Sequence, residues 1–272
     1  MKHGAFILCT LMLVLGAHAL AVVADRVEHR AILITNDYEF TVENGVCSGS
    51  GTFADPYIIE NWSIDAGYDR YGIRIQGTTR PFVIRNVKVS GASGAAISLN
   101  HVENGTLEDC LFRANWIGLS LTYTSLVRIS RSHFEINTDG VHFYFSQANQ
   151  LLDCTFLEND TAIWLDASSE NQIMGNLIED SHMGVYMNLR SAENQVVRNA
   201  FVGNLHNAYA DQPNVWNDEG AGNYWDGYRA IDANLDGIWD SPYRINVDGD
   251  QDFYPLVSHP RVPAAPAPTC EG

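Results

Sequence analysis

The fold is decided by a stretch in the middle of the chain that repeats itself. Residues 129–150 read ISRSHFEINTDGVHFYFSQANQ, and residues 151–172 read LLDCTFLENDTAIWLDASSENQ. Both 22-residue segments contain short runs in which polar and apolar residues alternate, and Asn or Gly divides these runs. A fixed period of this kind is typical of a solenoid of short strands, because each turn of the coil repeats one structural unit.

The same pattern extends from about residue 56 to residue 216. A polar column recurs at steps of 22–25 residues: Asn61, Asn86, Cys110, Ser132, Cys154, Asn176 and Asn199. Other columns recur at similar steps: Gly118, Gly140, Ala162 and Gly184; Asn115, Asn137 and Asn159; Asn149, Asn171 and Asn194. We predict an all-β fold, a single-stranded right-handed parallel β-helix of about seven rungs with a cap at each end.

The two ends of the chain differ from this repeat. Lys2, an apolar run and Ala17-His18-Ala19 are typical of a secretory signal, so residues 1–19 are interpreted as a signal peptide. We predict an N-terminal segment and cap over 20–55, the β-helix over 56–216, an acidic aromatic cap over 217–257 and a disordered Pro/Ala tail over 258–272. The expected product is exported, either extracellular or periplasmic, and has no membrane span after signal removal.

The charge balance limits the partners of the protein. The chain has 16 Lys and Arg against 33 Asp and Glu, a formal net charge of −17. Binding to a phosphate backbone depends on basic charge, so nucleic acid is not an expected partner.

The residue before the polar column carries alternating charge in Glu60, Arg85, Asp109, Arg131 and Asp153. Opposite charges on neighbouring strands stabilise a sheet, so we interpret these side chains as an outward ladder of ion pairs. The same alignment separates Cys110 and Cys154 by two rungs, about 9–10 Å, which is beyond the reach of a disulfide. We predict two buried thiols.

Motifs that flank the repeat are similar to those of a known family. GSGTFADPYIIE (49–60), GNYWDGY (222–228) and SPY (241–243) resemble the NosD-like group of right-handed parallel β-helix proteins, and secreted archaeal members in particular. This group is also described as carbohydrate-binding and sugar-hydrolase (CASH) domains. The resemblance covers about residues 30–257 and implies the fold and an exported location. The namesake of the group is linked to copper supply for nitrous oxide reductase.

One face of the predicted coil combines aromatic and polar side chains over three rungs. The candidate ligand-binding residues are His142, Tyr144, Trp164, Asp166, Tyr186 and Asn188. Aromatic rings beside carboxylate and amide groups suit a sugar, which has apolar faces and many hydroxyl groups. The alternative is an aromatic stack covered by loops or by another subunit.

The acidic cap contains a candidate metal site. Asp232, Asn234, Asp236 and Asp240 place oxygen ligands around a Gly, as at the start of a calcium loop, and Asp248, Asp250 and Asp252 could complete the coordination. We therefore predict Ca²⁺ as a possible cofactor. The alternative is an acidic loop held by its own turns.

A catalytic function has weaker support in the sequence. Asp139, Asp160 and Asp166 are the only local carboxylates that could form the pair needed for glycoside hydrolysis. The leading prediction is a noncatalytic, exported binding or surface-structure module with polysaccharide or another glycan as its partner. A polysaccharide hydrolase or lyase is the first alternative, and a NosD-like periplasmic copper-maturation accessory protein is the second.

Overall fold

The computed structural model describes residues 25–246 and 249–260, in which the chain winds through three parallel sheets. Sheet 1 contains β1 (Val27–Glu28), β4 (Trp62–Asp65), β7 (Lys88–Ser90), β10 (Leu111–Arg113), β13 (His133–Glu135), β16 (Thr155–Leu157), β19 (Leu177–Glu179), β22 (Ala200–Val202) and β24 (Tyr224–Trp225). Sheet 2 contains β2 (Ile32–Ile34), β5 (Tyr71–Thr78), β8 (Ala95–Val102), β11 (Ile117–Thr122), β14 (Asp139–Tyr144), β17 (Thr161–Asp166), β20 (Met183–Asn188) and β23 (His206–Ala210). Sheet 3 contains β3 (Tyr57–Glu60), β6 (Phe82–Arg85), β9 (Gly105–Glu108), β12 (Arg128–Ser130), β15 (Gln150–Leu152), β18 (Gln172–Met174) and β21 (Gln195–Val197).

Smaller elements complete the described structure. Two short 3₁₀ helices, Asp37–Glu39 and Val42–Asn44, follow β2. An antiparallel pair, β25 (Tyr243–Arg244) and β26 (Gln251–Asp252), lies in the C-terminal region. The described residues include no helix long and apolar enough to cross a bilayer. The predicted signal peptide lies outside the described residues, as does most of the predicted tail.

Strand pairing confirms the parallel β-helix, with about eight turns of coil. Each strand pairs in parallel with the strand one turn away, and the partners in the central turns are 22 residues apart, as in Leu119 and Val141. Equivalent residues of successive turns therefore lie side by side at about the usual strand spacing of 4.8 Å.

Apolar side chains fill the interior in stacks that run along the coil. Phe112, Phe134 and Phe156 stack with ring centroids 4.8 Å apart at each step. At the C-terminal end of the same sheet, Phe201 stacks on Trp225 at 4.4 Å. All five side chains are buried, so inward residues of every turn contribute to one continuous core.

The small-residue column is required by this packing. A Cβ atom on Gly140 would lie 2.8 Å from a ring carbon of Phe156 and 2.4 Å from the carbonyl oxygen of Ala162. Gly118 is confined in the same way by Phe134 and the carbonyl of Gly140. These glycines have ordinary backbone angles. Glycine is needed at these positions because neighbouring turns approach closely, and not because the backbone is left-handed.

The Asn columns form buried hydrogen-bond ladders between turns. The Oδ1 of Asn171 accepts hydrogen bonds from the backbone N and the Nδ2 of Asn149, each at 3.0 Å. Asn171 in turn donates from N and Nδ2 to the Oδ1 of Asn194, again at 3.0 Å. The ladders satisfy buried backbone groups at the corners, where the sheets leave them without strand partners.

The predicted alignment of the first two turns is wrong by one residue. Arg85 pairs with Glu108, so Asn86 aligns with Asp109 and not with Cys110. Asn61, Asn86 and Asp109 all have left-handed backbone angles, with φ of 61°, 48° and 55°. The buried polar column therefore begins at Cys110. The two early Asn residues occupy the corner position before it, where a short polar side chain tolerates this conformation.

The structure confirms the buried thiols and two of the four neighbouring ion pairs of the predicted ladder. Arg85 pairs with Glu60, and Arg131 pairs with Asp109 at 2.9 Å. Arg131 also contacts Glu108 at 2.8 Å, which the sequence did not predict. Cys110 and Cys154 are free and buried. Cys47 is free and exposed, and Cys270 lies outside the described residues.

Candidate functional site

The six predicted ligand-binding residues lie together on the outer surface of sheet 2. Strand pairing aligns His142 with Trp164 and Trp164 with Tyr186. The second column aligns Tyr144, Asp166 and Asn188. We call this surface the aromatic face. It exists because alternate residues of β14, β17 and β20 point away from the core.

The rings of the aromatic face contact one another more than the sequence indicated. His142 stacks on Trp164 with centroids 5.1 Å apart, and Trp164 meets Tyr186 edge to face at 5.7 Å. Tyr186 stacks on Tyr209 of β23 at 5.2 Å, which extends the row by one turn. The rings therefore form a continuous row along the coil, packed on one another, with hydrogen-bonding groups beside it.

Asp166 is held in place by two neighbours. Its Oδ1 accepts a hydrogen bond of 2.7 Å from Nε1 of Trp164, and its Oδ2 lies 3.3 Å from Nε2 of His142. Burial lowers the pKa of His142, and the charge of Asp166 opposes that shift. Beside this group, the Oδ1 of Asn188 is buried and accepts no hydrogen bond. Asn188 thus carries an unsatisfied acceptor next to Asp166.

Asp139, at the start of β14, is the carboxyl with the most perturbed environment on this surface. It is 6% exposed. Burial raises the pKa of Asp139 to about 6, and the negative charges of Asp160 and Asp166 add to the shift. The three weak catalytic candidates are therefore close enough to interact electrostatically, although Asp160 is largely exposed. A carboxyl that titrates near pH 6 suits general acid–base chemistry.

A groove beside the aromatic face was missed by the sequence reasoning. Tyr123 and Phe145 stack with centroids 5.3 Å apart and form one wall of a cavity of about 380 Å³. Hydroxyl and amide side chains line the rest, among them Ser125, Gln147 and Ser169. We call this cavity the corner groove. The 22-residue spacing of Tyr123 and Phe145 was the available signal.

The backbone of Tyr123 and Phe145 adopts a conformation that is energetically unfavourable for large side chains. Tyr123 and Phe145 have φ of 51° and 48°, a left-handed conformation that is unusual for large side chains. Nearly half of each side chain is exposed, 47% and 46%. Neither local conformation nor burial accounts for aromatic residues here. His101, Ala167 and Leu189 have the same left-handed backbone at the equivalent corner of neighbouring turns, so this conformation belongs to the coil. The exposed pair of aromatic rings is what marks a contact surface here.

The acidic loop of the C-terminal region is held by its own backbone. The carboxylate of Asp232 accepts hydrogen bonds from the backbone N of Asp236 and of Gly237, and Asp240 accepts one from Ala233. Asn234 donates to Asp236 at 2.8 Å. Among the residues that the structure describes, no group of three or more His, Cys, Asp or Glu side chains could hold a metal ion. Calcium binding by this loop stays a prediction.

Two of the carboxylates proposed to complete the calcium site serve the end of the coil instead. Asp250 accepts hydrogen bonds from Nε1 of Trp216 and the backbone N of Asn214. Asp252 is buried and accepts hydrogen bonds from Nε1 of Trp225 and from the backbone N of Asn223. Burial raises the pKa of both carboxyls. Asp248 lies outside the described residues.

Fold and surface together define an all-β repeat protein with an elongated aromatic and polar face. The chain belongs to the NosD family: the family model described as "Periplasmic copper-binding protein (NosD)" matches residues 28–230. The family is a periplasmic one, which agrees with the export predicted from the N-terminus.

Curated relatives match a shorter part of the chain. A "Probable ABC transporter binding protein NosD" of Pseudomonas aeruginosa is 34% identical over 92 residues, 33% of this chain and 22% of the relative. The protein of the same name from Stutzerimonas stutzeri is 35% identical over 92 residues, 33% of this chain and 21% of the relative. The match thus spans about one fifth of the length of each relative.

Two solved structures are similar in fold. The A-module of the Azotobacter vinelandii mannuronan C-5 epimerase AlgE6 aligns with a TM-score of 0.49 and 21% identity, over 58% of this chain and 50% of that module. An alginate lyase from Paenibacillus sp. str. FPU-7 aligns with a TM-score of 0.36 and 13% identity, over 73% of this chain and 77% of the lyase.

The family description raises the question of which side chains could bind copper. Thiolates and imidazoles are the usual ligands, but burial raises the pKa of both Cys110 and Cys154 to about 12, so these thiols stay protonated. Cys47 is exposed. His182 and His206 lie next to each other at the end of sheet 2, with ring centroids 5.7 Å apart. The core thiols therefore do not suit copper, and His182 and His206 are two exposed imidazoles that lie beside each other.

Proposed function

We propose that this chain is an exported, noncatalytic glycan-binding module, and that its ligand lies along the aromatic face and the adjoining corner groove. The observation that carries the proposal is the juxtaposition of partly exposed aromatic rings with hydroxyl and amide groups over several turns. Sugar rings are recognised through such a combination of apolar contact and hydrogen bonds.

The kind of glycan follows from charge. The corner groove is lined by uncharged side chains, and the whole chain carries a formal charge of −17. An acidic polysaccharide would be repelled at long range, whereas a neutral one would not. Because the turns repeat at about 4.8 Å, equivalent groups form a row along the coil, which favours an extended polymer over a single sugar.

Affinity gel electrophoresis with neutral and acidic polysaccharides tests the proposal. Retardation by a neutral polysaccharide is expected for the wild type and should be lost in Trp164→Ala, which removes the central ring of the face. Tyr123→Ala should weaken retardation by removing one wall of the groove. Trp116→Ala is the matched control, because Trp116 is equally aromatic and 59% exposed but lies outside both surfaces. Equal migration of all proteins in every gel would refute the proposal.

A second candidate function is hydrolysis of a polysaccharide. It is favoured by the raised pKa of Asp139 within electrostatic range of Asp166. A hydrolase needs one protonated carboxyl as an acid and a second carboxylate near the scissile bond. Release of reducing ends that is maximal near pH 5–6 and abolished in Asp139→Asn would favour the enzyme. Absence of release from a polysaccharide that the protein binds would favour the noncatalytic module.

A further inference from the structure

Two arginines converge on one tyrosine near the N-terminal end of sheet 2. The guanidinium carbons of Arg70 and Arg74 lie 5.4 and 5.1 Å from the centroid of the Tyr71 ring. Arg74 points away from the core, because its neighbours Ile73 and Ile75 in β5 are fully buried. Two positive charges therefore share one part of the outer surface, where the negative face of the aromatic ring attracts them.

The fold does not neutralise these two charges. Among the described residues, neither Arg70 nor Arg74 forms an ion pair with a carboxylate, although the chain has about twice as many acidic as basic side chains. Arg85, Arg113 and Arg131, by contrast, each pair with a carboxylate. The Nε of Arg74 is also buried without a hydrogen-bond partner in the described structure, which costs stability. The internal contacts of the fold therefore do not account for a positive charge at this place.

The side chains around Arg74 suit an organic anion. Its Nη2 donates a hydrogen bond of 2.7 Å to Oε1 of Gln76, which fixes the plane of the guanidinium. Asn100 lies beside Gln76 on the next turn, is partly exposed and adds a neutral amide. Leu33 lies beside Arg74 on the preceding turn and is 51% exposed. Charge, amide groups and an apolar surface thus adjoin one another.

We propose that Arg74 and Arg70 form a binding site for an organic carboxylate, with Gln76 as the residue that positions Arg74. Guanidinium groups bind carboxylates through charge-assisted hydrogen bonds, and the planar fork of donors matches the planar anion. The carbon body of the ligand would contact Tyr71 and Leu33. The net charge of −17 repels a doubly charged phosphate or a polyanion more strongly than a single carboxylate, so a singly charged group is favoured.

This site goes beyond the proposed glycan binding and does not depend on it. Arg74 precedes His142 by three turns in the same outward row of sheet 2, about 14 Å along the coil. Variants of the arginines therefore leave the aromatic face intact, and Trp164→Ala leaves the arginines intact. Loss of one kind of binding without the other would show that the two sites are separate.

The test is a ¹H–¹⁵N NMR titration of the full chain with sodium butyrate, sodium D-glucuronate, D-glucose and sodium phosphate. Saturable shifts of the amide signals of Arg74, Gln76 and Asn100 are expected with a carboxylate. Glucose and phosphate should bind at least about 10-fold more weakly, because the first lacks the charge and the second lacks the carbon body. Tighter binding of glucuronate would identify a sugar acid as the source of the carboxylate. Equal or tighter binding of butyrate would identify a free organic acid.

Variants assign the binding to the guanidinium groups. Arg74→Gln should weaken carboxylate binding at least about 10-fold, and Arg74→Lys by about 3-fold, because lysine keeps the charge but lacks the planar fork. Arg70→Gln should weaken it by a smaller factor than Arg74→Gln. Arg113→Gln is the matched control and should bind like the wild type, because Arg113 lies on sheet 1, has a side chain that is 51% exposed and already pairs with Glu135.

Three results would overturn the proposal. The first is the absence of saturable shifts with both carboxylates. The second is phosphate binding as tight as that of the carboxylates. The third is an affinity for the carboxylates that is unchanged in Arg74→Gln or Arg74→Lys, with circular dichroism showing that these variants are folded.

Discussion

Asn171→Ala should destabilise the protein far more than the loss of a single polar side chain from a surface. Asn171 is buried and accepts hydrogen bonds from both the backbone N and the Nδ2 of Asn149. It donates from Nδ2 to Asn194, to the carbonyl of Ser146 and to the carbonyl of Ser169, each at 3.0 Å. The substitution removes all of these bonds in the middle of a ladder.

The loss of stability in Asn171→Ala depends on which hydrogen-bonding partners of Asn171 stay satisfied in the variant. The carbonyls of Ser146 and Ser169 still accept from backbone N–H groups of adjacent turns. The Oδ1 of Asn194 still accepts from the backbone N of residue 171. The backbone N–H of Asn149 is left buried without an acceptor, and the Nδ2 of Asn149 keeps only its bond to the carbonyl of Thr124. An unsatisfied buried donor costs about 1–3 kcal/mol. With the small void left by the side chain, we expect about 2–4 kcal/mol less free energy of unfolding.

The assay is urea unfolding of Asn171→Ala beside a matched variant, Gln172→Ala. Gln172 is the next residue, points outward and accepts one hydrogen bond of 2.9 Å from Gln150. Its loss should cost about 0.5 kcal/mol or less, because exposed substitutions seldom cost more. If the two variants differed by less than about 0.5 kcal/mol, the reasoning on the ladder would be refuted.

Asn171→Asp sharpens the same test through pH. The carboxylate would keep the acceptor but would face the oxygens of Asn194 and Ser146, so burial should raise its pKa in the folded protein above the unfolded value of about 3.9. A group with a raised pKa loses stability as pH rises from the unfolded towards the folded value. The deficit relative to wild type should therefore grow between pH 4 and neutral pH, and a pH-independent deficit would contradict this account.

Three further predictions concern titration, thiol reactivity and calcium. Because the pKa of Asp139 is raised to about 6, Asp139→Asn should gain stability relative to wild type as pH rises from about 4 to above 6. A difference in urea midpoint between the two proteins that is the same at both ends of this range would contradict the prediction. Cys110 and Cys154 should react with a thiol reagent only after unfolding, whereas Cys47 reacts in the folded protein; rapid modification of the core thiols would show that this part of the coil opens. If the acidic loop binds calcium, millimolar Ca²⁺ should raise the melting temperature of the wild type and not that of Asp236→Asn, and an unchanged wild type would exclude the site.

Much of the architecture was predictable because a regular coil converts sequence spacing into spatial contact. The 22-residue period predicted that His142, Trp164 and Tyr186 would be neighbours, and strand pairing aligns them. The period also predicted that two rungs separate Cys110 from Cys154. The first turns are longer, with steps of 25 and 23 residues, so placing Asn86 in one column with Cys110 produced a one-residue error.

The sequence alone determined the repeat, the strand order and the residues that share a face, since these follow from backbone periodicity. Only the tertiary structure decided how side chains use the space between turns. It turned the rings of the aromatic face onto one another, bound Asp166 to Trp164, and placed Tyr123 and Phe145 at a strained corner beside a groove. It also brought His182 to His206. Side-chain rotamers and corner backbone angles depend on contacts with residues of other turns, and these contacts cannot be predicted from the local sequence.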